Sequence, residues 1–219
     1  MTSLLDPLRQ IADIGGPVVM ILLAVSVVTL AMMIYKIWQF AAAGVGRHTA
    51  LQQAVAAWDE GDRSAARAAL GRSRSYLAPV IDMAFASTPA DAQRLSTEAE
   101  TRFAKLETGF RLLDSVAQLA PLLGLFGTVL GMIDAFQSLQ NAGAQVDPSL
   151  LAGGIWVALL TTAAGLVVAM PTALVLSWFE GRMDAERVTA ARALAAVLHP
   201  RGDRTGQQAV ADGAALQGA

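Results

Sequence analysis

Residues 120–136 read APLLGLFGTVLGMIDAF. Pro121, Gly124, Gly127, Thr128 and Gly131 interrupt an otherwise apolar run, although glycine and proline are poor helix formers. The run is nevertheless bounded like a membrane span, since no Asp, Glu, Lys, Arg or His occurs between Asp114 and Asp134. The same holds between Asp13 and Lys36 and between Asp147 and Glu180. Each gap reaches or exceeds the roughly 18 residues that mark a candidate transmembrane helix.

The chain has 219 residues, 54% of them hydrophobic and 16% charged, with a mean hydropathy of +0.47. An ordinary soluble domain carries about a quarter charged residues, and the deficit here is concentrated in those three gaps. A chain of this length cannot wrap three such helices in a soluble core. The expectation is an all-α membrane protein with transmembrane helices over 16–40, 113–138 and 151–179. Trp156 and Trp178 fit the two ends of the third span, about 33 Å apart at ~1.5 Å per residue. Trp38, beside Tyr35 and Phe40, marks an end of the first. Ala41-Ala42-Ala43 resembles a signal-peptide cleavage site, but Asp6 and Asp13 offset Arg9 and the apolar run is long, so the first span reads as an anchor.

Lysine and arginine set the expected orientation. Arg9 alone precedes the first span, and none lies between Gln140 and Leu150. The segment after span one carries Arg47, Arg63, Arg67, Arg72, Arg74, Arg94, Arg102, Lys105 and Arg111, and the tail carries Arg182, Arg187, Arg192, Arg201 and Arg204. The positive-inside rule then places residues 1–15 and the 139–150 loop outside, and 41–112 and 180–199 in the cytoplasm. The net charge of −2 and mixed signs argue against nucleic-acid binding. The absence of cysteine excludes disulfides.

The cytoplasmic segment reads helical. Residues 48–70 form a helix, a turn at Asp59-Glu60-Gly61-Asp62 and a second helix; the acidic turn lacks calcium-loop spacing. A short apolar helix covers Leu77–Phe85, and Pro89-Ala90-Asp91 breaks the chain. A long helix capped at Ser96-Thr97 is expected to run through Phe103 and Phe110 into span two. Span three continues through Met183, Val188, Leu194 and Leu198 to Pro200. Residues 200–219 have the composition of a disordered tail.

In span two, small or polar residues recur at Ala117, Pro121, Gly124, Thr128, Gly131 and Ala135; in span three, at Ala158, Thr162, Gly165, Ala169 and Thr172. This is helical spacing, and small stripes let helix backbones approach closely in lipid. Gly124, Gly127, Gly131, Ala158, Gly165 and Ala169 are therefore candidates for close packing around a partner. Thr128 and Thr162 lie at similar depth near mid-membrane and are candidates for a polar collar on an ion path. Thr161 and Asp134 are further pathway or interface candidates. A mid-span charge costs about 3 kcal/mol or more and none is present, so an ion path here would need a titrating group from another chain.

No nucleophile–base pair or metal-spaced cluster is visible, so neither enzymatic activity nor a cofactor is expected. His48 and His199 read as ordinary solvated residues.

The anchor, the large loop, GLFGTVLGMIDAF (124–136) and DPSLLAGGIWVALLTTAAGLVVAMP (147–171) together resemble the MotA/TolQ/ExbB proton-channel family, and within it ExbB most closely. The resemblance covers roughly residues 100–185. It implies an inner-membrane motor subunit forming a homo-oligomeric ring, commonly a pentamer, around an ExbD-type single-span partner that supplies an essential aspartate. Proton flow through such a ring energises a TonB-like protein that opens outer-membrane receptors. On this resemblance Thr128 falls on the threonine of the family's GTV motif and Thr162 on the span-three threonine, both facing the lumen. Val157 stands where many relatives carry glutamate, which again leaves the acid to the partner. A TolQ-like role in outer-membrane integrity and division, or a non-conducting membrane scaffold, are the rival readings.

Overall fold

The computed structural model describes residues 5–141 and 148–201, and these are helical almost throughout. The elements are α1 (Leu5–Ala43), α2 (Thr49–Asp59), α3 (Arg63–Gly71), α4 (Ala78–Phe85), a 3₁₀ turn (Pro89–Asp91), α5 (Ala92–Glu107), α6 (Phe110–Asn141) and α7 (Pro148–Leu198). Segments of α1, α6 and α7 are long and apolar enough to cross a membrane. The expected tail falls almost wholly outside the described residues, as does much of the loop between the second and third spans.

The chain divides into two units, one comprising the residues up to Tyr35 with Gly109–Phe179, the other Lys36–Thr108 with the residues from Glu180 onward. In the first, α1 is interrupted at Gly16, whose φ of 64° is one that glycine tolerates. Beyond it Val18 and Leu22 pack with Ala120 of α6 and Ala169 of α7. Lipid supplies no hydrophobic force between such helices, so contact rests on close van der Waals fit. The outer faces keep large apolar side chains exposed, among them Leu122, Phe126 and Val129 on α6 and Leu159, Val167 and Leu174 on α7.

The second unit has a core of its own. Trp58 stacks on Phe85 with ring centroids 4.0 Å apart, donates its indole N–H to Val197 O at 3.1 Å and carries the Arg63 guanidinium over its face. Asp59 ends α2, Gly61 turns the chain with φ 93°, and Asp62 caps α3 by accepting from Ser64 N and Ala65 N. On α7, Met183, Glu186, Ala190, Ala193 and Val197 are buried, the recurrence of a helix face. Val188 points away from that stripe and is 50% exposed.

Two boundaries differ from the sequence reading. The helix placed from Ser96 onward starts at Ala92 instead, running on directly from the 3₁₀ turn Pro89–Asp91 that a Thr88–Asp91 capping box opens; the Ser96 and Thr97 hydroxyls bond Gln93 O within the helix. That helix also does not run into span two. It stops at Glu107, and Thr108 leaves the helical region with ψ 123°. Gly109 then takes φ 96°, and its carbonyl accepts from Leu112 N and Leu113 N to start α6. The end of α5 is held by Lys36, whose buried ammonium donates to Leu106 O at 2.9 Å. A cation suits the negative end of a helix.

Candidate functional site

The face of α6 that meets α7 is built from residues with almost no side chain. Ala120, Gly124, Gly127 and Ala135 are buried there, with Gly131 beside them. A Cβ on Gly124 would lie 2.8 Å from Thr161 O, and one on Gly127 would lie 2.7 Å from Thr161 Cβ. From the α7 side, a Cβ on Gly165 would run into Ala120 O; further along α6, one on Gly131 would come within 3.2 Å of Ala158 Cβ. The glycines of the opening stretch thus bring two helices of one chain together.

This face is turned slightly from the stripe read in the sequence. Ala117, Pro121 and Thr128 are half-buried at its flank. On α7 the buried positions are Ala158, Thr161, Gly165, Ala169 and Thr172, so Thr161 occupies the place that spacing alone gave to Thr162. The physical reason is room: Gly127 has no side chain where the branched Thr161 side chain sits.

The hydroxyls differ accordingly. Thr161 Oγ1 donates to Ala158 O at 2.7 Å on its own helix and lies 3.1 Å from Gly124 O on α6. Thr162 is half-buried, with Oγ1 3.4 Å from the same Gly124 carbonyl. Thr128 is half-buried and donates to Leu125 O at 2.6 Å. Thr128 and Thr162 thus flank the packed face, while Thr161 lies inside it. Asp134 is exposed near the far end of α6, and Val157 is half-buried. Hydroxyls can order water or an ion by hydrogen bonding, but they do not titrate near neutrality. Among the described residues, no group of three or more His, Asp or Glu side chains is placed to hold a metal ion.

A second polar centre, in the other unit, was not foreseen. His48, read as a solvated residue, is buried, with Nε2 2.8 Å from Glu186 Oε1. Gly46 N donates to the same carboxylate oxygen at 2.8 Å, and Tyr76 OH donates to Oε2 at 2.8 Å. Ser75 Oγ lies 3.3 Å from His48 Nδ1. Burial pushes the Glu186 carboxyl up, but the bonds from His48, Tyr76 and Gly46 outweigh it and hold it below the usual glutamate range. Burial and the adjoining carboxylate push the Tyr76 phenol far above its ordinary value. A signal was present in the sequence, since Glu186 interrupts a run of apolar positions at helical spacing. His199 is exposed, as read.

A family model described as the MotA/TolQ/ExbB proton channel family matches residues 66–191. The chain is 45% identical over 67 residues to the biopolymer transport protein exbB1 of Vibrio cholerae, covering 31% of this chain and 29% of the relative. It is 44% identical over 86 residues to a putative ExbB-like biopolymer transport protein of Synechocystis, covering 37% and 34%. It is also 35% identical over 95 residues to the Tol-Pal system protein TolQ of Pseudomonas aeruginosa, covering 43% and 40%. Each alignment takes in less than half of the relative's length. The family match spans more than half of the chain, including α6, the threonines of α7 and Glu186: the chain belongs to the MotA/TolQ/ExbB proton channel family.

Proposed function

We propose that the chain is the housing subunit of an inner-membrane proton channel, assembled as a homo-oligomeric ring around an ExbD-type partner. The ring couples the proton motive force to a TonB-like protein for import across the outer membrane. The observation that carries this reading is the pairing of half-buried hydroxyls at Thr128 and Thr162 with the stretches 115–133 and 148–179, which contain no titrating side chain. Such a wall can order protons or water but needs an acid from elsewhere. The N-terminus then lies in the periplasm and the C-terminus in the cytoplasm, as the distribution of lysine and arginine favours.

Resemblance to TolQ supports a second reading, in which the same channel serves the Tol-Pal system; the periplasmic domain of the partner separates the two. Conduction is tested by proton uptake into liposomes holding the chain with its ExbD-type partner. Thr128→Val and Thr162→Val are each expected to lower flux several-fold, the effect of losing a hydrogen bond worth about 1 kcal/mol. Undiminished flux in both variants removes the hydroxyl collar from the mechanism, and a complex that conducts nothing leaves the scaffold reading.

A further inference from the structure

The last turns of α1, from Lys36 on, belong to the second unit, and they end the apolar segment Gly16–Ala43. Ile37 and Trp38 remain 54% and 68% exposed shortly before that end. Tryptophan in such a position suits the boundary between hydrocarbon and headgroups. Beyond it the charge is of one sign. Residues 37–58 and 63–81 contain no aspartate or glutamate but contribute Arg47, Arg63, Arg67, Arg72 and Arg74.

The fold gathers part of this set at the turn after α1. A Cβ on Gly44 would lie 2.9 Å from Arg74 O. Tyr76 N donates to Ala43 O at 3.3 Å, and Arg47 N to Gly44 O at 3.0 Å. The guanidinium of Arg182 lies against Gly46, in the space a Cβ there would fill. Arg47, Arg72, Arg74 and Arg182 are all exposed. Among the described residues, none of these four guanidiniums is paired with a carboxylate. The Glu186 carboxylate at this turn is buried and accepts from Gly46, His48 and Tyr76. Glu180 and Asp184 each stand two residues from Arg182, about 200° round the helix, and Asp184 pairs with Arg187. Like charges gathered in this way repel one another, and a phosphate, which accepts several charge-assisted bonds, relieves that.

We infer that this turn seats the headgroup of an anionic phospholipid, with Arg47, Arg72, Arg74 and Arg182 around its phosphate and Ile37 and Trp38 beside its acyl chains. The spacing favours a lipid over a soluble phosphate. Trp38 precedes Gly44 by about 9 Å along α1, more than the roughly 5–7 Å depth of the headgroup layer. A phosphate at the turn therefore carries its chains to the level of two exposed apolar side chains.

The test is quenching of Trp38 in the full chain, reconstituted in phosphatidylcholine liposomes. A small share of the lipid is brominated on its acyl chains and is either phosphatidylglycerol or phosphatidylcholine. Trp156 and Trp178 are replaced by Phe; Trp58 stays, since it is buried and adds a constant background. At low salt the brominated phosphatidylglycerol is expected to be preferred about tenfold, each arginine contributing up to about fivefold. Arg72→Gln with Arg74→Gln should lower that preference about fivefold or more, and Arg47→Gln about two- to threefold. Arg94→Gln, on α5 beside Asp91, should leave it unchanged, and about 0.5 M salt should shrink it in the parent. Circular dichroism checks that each variant folds, and Arg47→Gln is decisive should the double variant not fold. Equal quenching by the two lipids in the parent overturns the seat, as does a parent-like preference in the folded double variant. A preference abolished by inorganic phosphate, but not by chloride at the same ionic strength, gives the arginines to a soluble phosphate and overturns the lipid.

Discussion

Thr161 on α7 shares its hydroxyl between Ala158 O, 2.7 Å away on its own helix, and Gly124 O, 3.1 Å away on α6. That contact exists because Gly124 and Gly127 present backbone where any other residue would present a side chain. A methyl on Gly127 would lie 2.6 Å from Thr161 Oγ1 and 2.7 Å from its Cβ. Gly127→Ala should therefore destabilise the helix pair by about 1–3 kcal/mol, the usual range for overpacking. Thr161→Ala in the same chain should recover much of that loss. Gly153→Ala is the control, since nothing lies within 4 Å of its added methyl. Thermal unfolding in detergent, followed by circular dichroism, measures all three; equal stability of Gly127→Ala and the parent would show that the helices do not meet at Thr161.

The Glu186 cluster makes two predictions about pH. Its carboxyl is held below the ordinary glutamate range, so the folded state keeps it ionised where the unfolded chain, at about pH 4.3, takes up a proton. The associated stability is present above that pH and is lost as pH falls through the lower folded value. Glu186→Gln should be less stable than the parent at pH 7, and the gap should narrow from about pH 5 toward pH 3. The Tyr76 phenol is pushed the other way, so its contribution is full below about pH 10 and declines as pH rises toward the folded value. Tyr76→Phe should flatten the alkaline limb and, because the Tyr76 hydroxyl also helps hold the Glu186 carboxyl low, shallow the acid limb in part. Denaturant midpoints across the pH range decide both, and parallel curves for parent and variant would remove the group from the titration.

Trp58 concentrates three interactions of different kinds, and substitutions can separate them. Trp58→Phe retains an aromatic ring over Phe85 but loses the donor to Val197 O, and should cost about 1–2 kcal/mol, including the acceptor left without its partner. Trp58→Ala also loses the stack and leaves a cavity, which should cost about 3–5 kcal/mol. The comparison is made by chemical denaturation of the whole chain. A Trp58→Phe variant as unstable as Trp58→Ala would mean that the indole bond, rather than the ring, holds α2 to α7.

The three spans and the coarse helical order were legible because charge-free runs of this length have few alternatives in a chain this short. The small-residue stripes were legible too, but their exact facing was not. Adjacent threonines on a helix differ by about 100°, and only the empty space at Gly127 decides that Thr161 faces α6. The cap at Ser96-Thr97 was misread because two cap signals lie within a turn or two of each other, and the Thr88–Asp91 pair closes first. His48 was misread for a different reason. Its partner stands far along the chain, and a lone histidine before a helix gives no sign of what packs against it. Glu186 did leave a trace, a charge in an otherwise apolar stripe, which marks a buried pair once the stripe is taken seriously.

The break between α5 and α6 turns on one residue. Sequence continuity through Phe103, Leu106 and Phe110 suggests a single helix, yet Gly109 takes φ 96° and the division between the two units falls at Thr108–Gly109. A side chain at that φ costs about 1–2 kcal/mol. Gly109→Ala relieves this by extending α5 into α6, which would pull Leu106 O away from the Lys36 ammonium that now caps it at 2.9 Å. The expected result is a loss of about 1–2 kcal/mol in stability, with faster amide exchange through the last turn of α5. Lys36→Met, which removes the cap but leaves Gly109 intact, should quicken exchange over the same turn while changing overall stability less. If Gly109→Ala matches the parent in stability and exchange, the helix break at Thr108–Gly109 does not need the glycine.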